Sequence, residues 1–360
     1  MSGGVRRGLA DFTCRVLQAT LPPALRSWGW AIRCETAAIP DDSQALLFAL
    51  QSARGLLPSA VTPRLLHPSA ALIGAVALGV VYMAIAGAPT RYLGINLGAL
   101  FVGLAMLALF PGAGVSGRIC GGRTIAAMAG ALLATPLLGD KVDGIGRWVS
   151  WSGVSVQPSL ILLPFMLVAF ARERNRTSTM GMVVAAAALA IQPDRAMAGM
   201  LAAGLAVLMV MRPDRFVISA IAASVAGFAV TLARADALPE APYVDGILLS
   251  ALRVHWAAGA AALGGSVLLL FPAIAGYYRD PAKRATFAVF GAAWLALILA
   301  AAFGTYPTPV VGYGGSAIIG YALSILALPK LMTDPVPPVA GIAEQPITPL
   351  SDQRLSVVLA

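Results

Sequence analysis

Residues Ser69 to Gly87 read SAALIGAVALGVVYMAIAG, nineteen positions without an Asp, Glu, Lys or Arg. A run of that length matches the ~20 residues a helix needs to cross the hydrocarbon of a bilayer. Nine more apolar segments follow, at roughly 93–111, 123–139, 155–171, 179–192, 196–211, 216–233, 247–275, 285–303 and 310–328. They are rich in Ala, Leu and Gly and do not alternate, which favours helices over strands. In lipid every backbone N–H and C=O must be satisfied within the chain, so a helical bundle is the consistent solution. The whole chain agrees: of 360 residues, 59% are hydrophobic and 11% charged, with mean hydropathy +0.82. A soluble domain would carry about a quarter charged residues. The expected fold class is therefore an all-α integral membrane protein with about ten transmembrane helices. The fifth and sixth segments are short and are expected to be tilted or recessed. The eighth is long and is expected to project or tilt strongly.

The flanks differ from this core. Residues 1–66 form an amphipathic helical prefix, with helices near Asp11–Thr20, from about Ala24 to Ala38, and after the Asp41-Asp42-Ser43 cap signal up to Arg54. Trp28, Trp30, Arg26 and Arg33 suit a surface touching lipid headgroups, and equally a small soluble helical hairpin packed on itself. Residues 67–330 form the membrane domain. The stretch 331–360 carries Pro335, Pro337, Pro338, Pro346 and Pro349 and reads as a disordered tail. The first long apolar run begins only near Pro68, so no cleavable signal peptide is expected. Cys14, Cys34 and Cys120 form no close pair, which argues against a disulfide framework or a cysteine metal site.

The net charge of +9 has a topological reading. With a cytoplasmic N-terminus, the outer side keeps Arg91, Lys141, Arg147, Arg195, Arg234 and Arg253 against six acids. The inner side then holds the other nineteen basic residues against ten acids. All the excess is on one side, as the positive-inside rule requires. Anionic lipid accounts for it without nucleic acid. Both termini are thus expected in the cytoplasm, with the chain multi-pass in a bacterial inner membrane.

Three outer stretches stand out. The first is Gly146-Arg147-Trp148, followed by Gln157-Pro158-Ser159 at the start of the fourth span. The second is Gln192-Pro193-Asp194, between the two short spans. The third is Pro309-Val310-Val311-Gly312-Tyr313-Gly314-Gly315-Ser316, opening the last span.

With these stretches the chain resembles the SEDS family of shape, elongation, division and sporulation proteins, the FtsW/RodA/SpoVE group. That family carries an arginine–tryptophan pair before a Gln-Pro-Ser helix start. It also has a Gln-Pro-Asp motif between the fifth and sixth helices and a Tyr-Gly-Gly-Ser motif opening the tenth. The resemblance spans roughly residues 69–328 and implies a ten-helix SEDS-type bundle. It further implies a peptidoglycan glycosyltransferase of cell division or cell shape, polymerising undecaprenyl-linked lipid II beside a penicillin-binding transpeptidase. The family's catalytic aspartate would correspond to Asp245, in the outer loop Leu238-Pro239-Glu240-Ala241-Pro242-Tyr243-Val244-Asp245-Gly246, with Glu240 also matched. One residue is inserted before Asp245, the family's His-Thr pair is absent, and Leu160 stands where the family has a glutamate. A non-catalytic relative that scaffolds a partner or binds a lipid-linked precursor, or a transporter of such a precursor, is therefore the alternative.

Glycosyl transfer requires a base for the attacking hydroxyl and cationic groups for the pyrophosphate leaving group. Asp245 would be that base, or else the cap of the eighth span. Arg147 would bind the pyrophosphate through its guanidinium fork, or anchor the interface beside Trp148 and Trp151. Arg253 and His255, a turn or more into the eighth span, would line the groove or snorkel outward. Under the resemblance Glu240, Arg253, Tyr313 and Ser316 join Arg147 in substrate binding. Gln157, Pro158, Gln192, Pro193, Asp194, Pro309, Gly314 and Gly315 are structural, the glycines allowing close helix approach. Asp194 and Arg195 are expected to pair across their turn. No cofactor is indicated. A lone carboxylate such as Asp245 does not make a site for a divalent cation.

Overall fold

The computed structural model describes residues 3–20, 25–65, 68–109, 121–142, 145–151, 154–234 and 241–329. The prefix forms α1 (Gly3–Thr20), α2 (Arg26–Ala38) and α3 (Asp42–Leu65). The apolar segments then form α4 (Pro68–Ile85), α5 (Thr90–Leu109), α6 (Gly122–Leu138), α7 (Pro158–Arg172), α8 (Arg176–Ile191), α9 (Arg195–Met211) and α10 (Arg215–Leu232). The series ends with α11 (Ile247–Val254), α12 (Trp256–Arg279), α13 (Arg284–Phe303) and α14 (Gly315–Ala327). The chain is an all-α membrane protein. Four helices, α4, α5, α10 and α12, are long and apolar enough to cross a bilayer, as is the stretch Pro281–Phe303 that contains α13. The helices α7, α8, α9 and α14 are apolar but shorter.

The short helix α7 is a central one. In α7 every position from Leu163 to Ala171 is buried, the signature of a helix apolar on all sides and enclosed by others. It packs against α6, α8, α9, α13 and α14. A helix wrapped in protein need not match the thickness of the hydrocarbon. Gly320 of α14 lies directly on the backbone of α7, where any Cβ would run into the Leu160 carbonyl. This is the close approach that small residues permit in membrane bundles.

Four features differ from the sequence expectation. The eighth span is not one long helix. It breaks at His255, which is extended at φ −165° and accepts the Ala257 N–H on Nδ1 at 3.1 Å. Before the break, α11 buries Ile247, Leu248 and Ala251 and exposes Leu249, Leu252, Arg253 and Val254. Second, the tenth span begins as irregular chain, and helix starts only at Gly315. Third, the loop after α6 forms β1 (Asp140–Val142), β2 (Ile145–Trp151) and β3 (Val154–Val156), an antiparallel sheet in that order. Fourth, α1 starts at Gly3 rather than near Asp11, and α3 runs to Leu65 rather than ending at Arg54.

The arginine-rich end is laced by caps. Asp214 accepts the Phe216 and Val217 amides, both at 2.9 Å, and pairs with Arg174 at 2.6 Å. Asn175 and Ser178 close a reciprocal capping box on α8. In the prefix, Ala10, Cys14, Leu17, Ile32, Ala49 and Ala53 make a separate core between α1, α2 and α3. The tail after Lys330 and Cys120 lie outside the described residues.

Candidate functional site

The three sequence motifs meet at the opposite end, in two adjoining assemblies. The first is a buried polar network. Arg147, on β2, is 4% exposed, and its Nε donates to the Gln192 carbonyl at 3.2 Å while Nη2 donates to the Pro193 carbonyl. Gln192 Nε2 donates to the Leu132 carbonyl at 2.7 Å. Asp194, 1% exposed, accepts Gln157 Nε2 at 3.0 Å and Ser159 Oγ at 3.1 Å on one oxygen, and the Met197 amide at 3.3 Å on the other. The Gln157 amide donates to Ser316 Oγ at 3.0 Å. A buried carboxylate is tolerable only when so surrounded by donors.

This network occupies several residues expected at the substrate. The guanidinium of Arg147 is spent on backbone carbonyls of the Gln-Pro-Asp turn, away from the aromatic anchoring suggested by Trp148, which sits beside it on β2. Ser316 is buried and serves Gln157. Asp194 and Arg195 do not pair: Arg195 reaches across to the carbonyls of Thr231, Leu232 and Arg234. The reason is geometric. Asp194 points back under α9 as its N-cap, whereas Arg195 starts the helix and faces α10.

The second assembly is a docked pair of loops. Thr308 N–H donates to the Val244 carbonyl at 2.9 Å, and Tyr313 N–H to the Tyr243 carbonyl at 2.7 Å. Asp245 bridges Pro307. Asn96, fully buried on α5, holds the motif from behind: its Nδ2 donates to the Gly312 carbonyl at 2.9 Å and its Oδ1 accepts the Gly314 N–H at 3.1 Å. Gly79 of α4 presses on Val311, where a Cβ would meet the carbonyl oxygen at 2.5 Å. Tyr243 and Val310 adopt left-handed backbone at φ 63° and 68°. Such non-glycine conformations cost on the order of 1–3 kcal/mol each and persist where surroundings over-determine them.

Three tyrosines line this junction. Tyr92 and Tyr313 stack at 3.9 Å between centroids, 14° from parallel, and Tyr243 meets Tyr92 edge-on at 6.2 Å. Arg91 is close enough to the Tyr313 phenol to act on it electrostatically. Arg91 is exposed at the start of α5. Asp245 is half-buried and its Oδ2 accepts the Ala241 N–H at 2.9 Å, closing a tight loop. It does not cap α11: the preceding residue is Gly246, at φ 63°, with no side-chain cap. Arg253 and His255 are both exposed, because the break at His255 leaves them on the short helix and its corner instead of inside a long span. Glu240 lies outside the described residues. Among the described residues, no group of three or more His, Cys, Asp or Glu gathers as a metal site.

Asn96 and Tyr92 escaped the sequence reading, and Arg91 entered it only as an outer-side charge. Asn96 was the available signal, an amide inside an otherwise apolar span. The segment 307–316 joins the two assemblies, meeting the Tyr243–Asp245 loop through Pro307, Thr308 and Tyr313 and the Gln157–Asp194 network through Ser316.

No family model matches the chain, and no curated protein does. Solved structures do. An aspartate-to-alanine mutant of the Rod shape determining protein RodA of Thermus thermophilus matches with a TM-score of 0.51 and 22% identity, over 72% of this chain and 94% of that one. The same protein without that substitution gives 0.49 and 21%, over 72% and 93%. The mutant structure shares the helical fold of this chain.

Proposed function

We propose that the chain is a divergent member of the SEDS family, working in bacterial cell-wall assembly at the outer face of the inner membrane. The ordered motifs and the RodA-like fold support this reading together. The observation that carries it is the docking of the Tyr243–Asp245 loop onto Pro307–Tyr313, which gathers Asp245, three tyrosines and Arg91 at one end of the bundle. The substrate is a lipid-linked cell-wall precursor carrying a pyrophosphate. Arg91 is an exposed cation near the site, suited to the pyrophosphate. The acceptor hydroxyl attacks the anomeric carbon, its proton passes to Asp245, and the bond to the pyrophosphate breaks as the lipid diphosphate leaves. A penicillin-binding transpeptidase is the natural partner in this reading, and both termini are cytoplasmic.

A second reading is a precursor-binding scaffold without catalysis. It is favoured by the Asp245 carboxylate, which accepts the Ala241 amide, and by Leu160 at the family's glutamate position. Purified protein incubated with labelled lipid II separates the two. Polymer from wild type and none from Asp245→Asn supports glycosyl transfer. Polymer that survives Asp245→Asn removes Asp245 from the mechanism. Lipid II binding without polymer from either form, with partners present, establishes the scaffold.

A further inference from the structure

The prefix ends its own core at Ala53 and meets the first span at Pro68. Because α3 continues as helix to Leu65, the chain advances only about 20 Å over those residues, so the three-helix unit is held close to the membrane surface. On α2 the buried side is Gly29, Ile32 and Thr36. The opposite side exposes Ser27, Trp30, Ala31, Cys34 and Ala38, none of them charged, with Trp28 and the exposed Glu35 together on one flank. Trp28 and Trp30 are 63% and 62% exposed. Two bare indoles on one short helix are costly in water and suited to the headgroup layer, where an amphipathic ring satisfies both phases.

Charge points the same way. Residues 1–66 hold seven arginines against four acids. Arg33 and Arg15 pair with Asp11, and Arg7 with Asp42. Arg26, in the first turn of α2 on the Trp30 flank, is exposed and takes part in no such pair among the described residues. A guanidinium there matches an anionic phosphate.

We propose that the prefix is a membrane-surface module that lays the uncharged face of α2 into the headgroups of an anionic leaflet, with Trp28 and Trp30 as anchors and Arg26 on lipid phosphate. This goes beyond the cell-wall reading and does not depend on it. The test uses the full-length protein in vesicles of phosphatidylglycerol and phosphatidylcholine. The signal of the two indoles is the fluorescence difference between wild type and the Trp28→Phe/Trp30→Phe variant. The expected result is a blue-shifted difference spectrum, quenched by brominated lipid and shielded from aqueous iodide. Quenching should weaken several-fold in pure phosphatidylcholine and in Arg26→Glu. Quenching by iodide and not by brominated lipid overturns the proposal. Shielding from both quenchers also overturns it, because protein then covers the face. Equal lipid quenching with and without phosphatidylglycerol, and in Arg26→Glu, overturns the anionic part.

Discussion

Asn96 grips Gly314 and its neighbour from across 218 residues of sequence, accepting the Gly314 amide at 3.1 Å and donating to the Gly312 carbonyl at 2.9 Å. One fully buried side chain thereby sets the turn that opens α14 and presents Tyr313. Replacing it with Ala strands a buried N–H and a buried C=O, at a cost of about 1–3 kcal/mol. Asn96→Ala should lower the detergent Tm. Asn96→Asp, which sets a buried carboxylate against the Gly312 carbonyl, should lower it at least as far. Unchanged Tm in both would refute the role.

Arg147 separates anchoring from substrate contact. Its fork satisfies two carbonyls of the Gln-Pro-Asp turn, and a lysine cannot reproduce that geometry. Arg147→Lys should destabilise by about 1–3 kcal/mol, read as a Tm drop. Affinity for a pyrophosphate lipid should stay within about twofold of wild type at temperatures where both are folded. A large affinity loss with unchanged Tm would return Arg147 to the substrate.

Gly320 sits on the Leu160 carbonyl of α7. Gly320→Ala must push α14 away from α7, and such overpacking costs typically about 1–3 kcal/mol. Because Ser316 on the same helix holds Gln157, the variant should also loosen the Gln157–Asp194 network. Hydrogen exchange at the Gln157 amide would report this, and unchanged protection would contradict it.

Asp214 predicts a pH dependence. Burial alone would raise its carboxyl, but the Val217 amide, Arg174 and the Phe216 amide outweigh burial and hold it below the ordinary value. The folded state thus binds its proton less readily than the unfolded chain. The stabilisation is complete above the unfolded value of about 3.9 and is lost as pH falls through the lower folded value. Asp214→Asn keeps a capping side chain without the charge. Wild type should exceed it in Tm at neutral pH and converge with it in acid. A constant gap across the range would show that the charge is not the source.

The apolar segments were legible because lipid removes the alternative to internal hydrogen bonding, so length and composition suffice. The cap at Asp41 was legible too, being local. The break at His255 was not. The run 247–275 is apolar on both sides of it, and the docking of Tyr243 and Val244 onto Tyr313 and Thr308, which fixes the chain just before α11, joins residues more than sixty positions apart. Composition likewise could not say that Arg147 would turn inward to Gln192 and Pro193, since an interfacial arginine between tryptophans satisfies the same pattern when facing lipid.

By itself, then, the amino-acid order determined the helical membrane bundle and singled out three polar stretches, because hydropathy and cap chemistry act within a turn or two of chain. Which of those polar groups would hold the bundle together and which would remain open to a ligand was decided only in three dimensions. Buried donors and acceptors choose partners by proximity, and apart from the Met197 cap bond the partners of Asn96, Arg147 and Asp194 lie between 35 and 218 residues away.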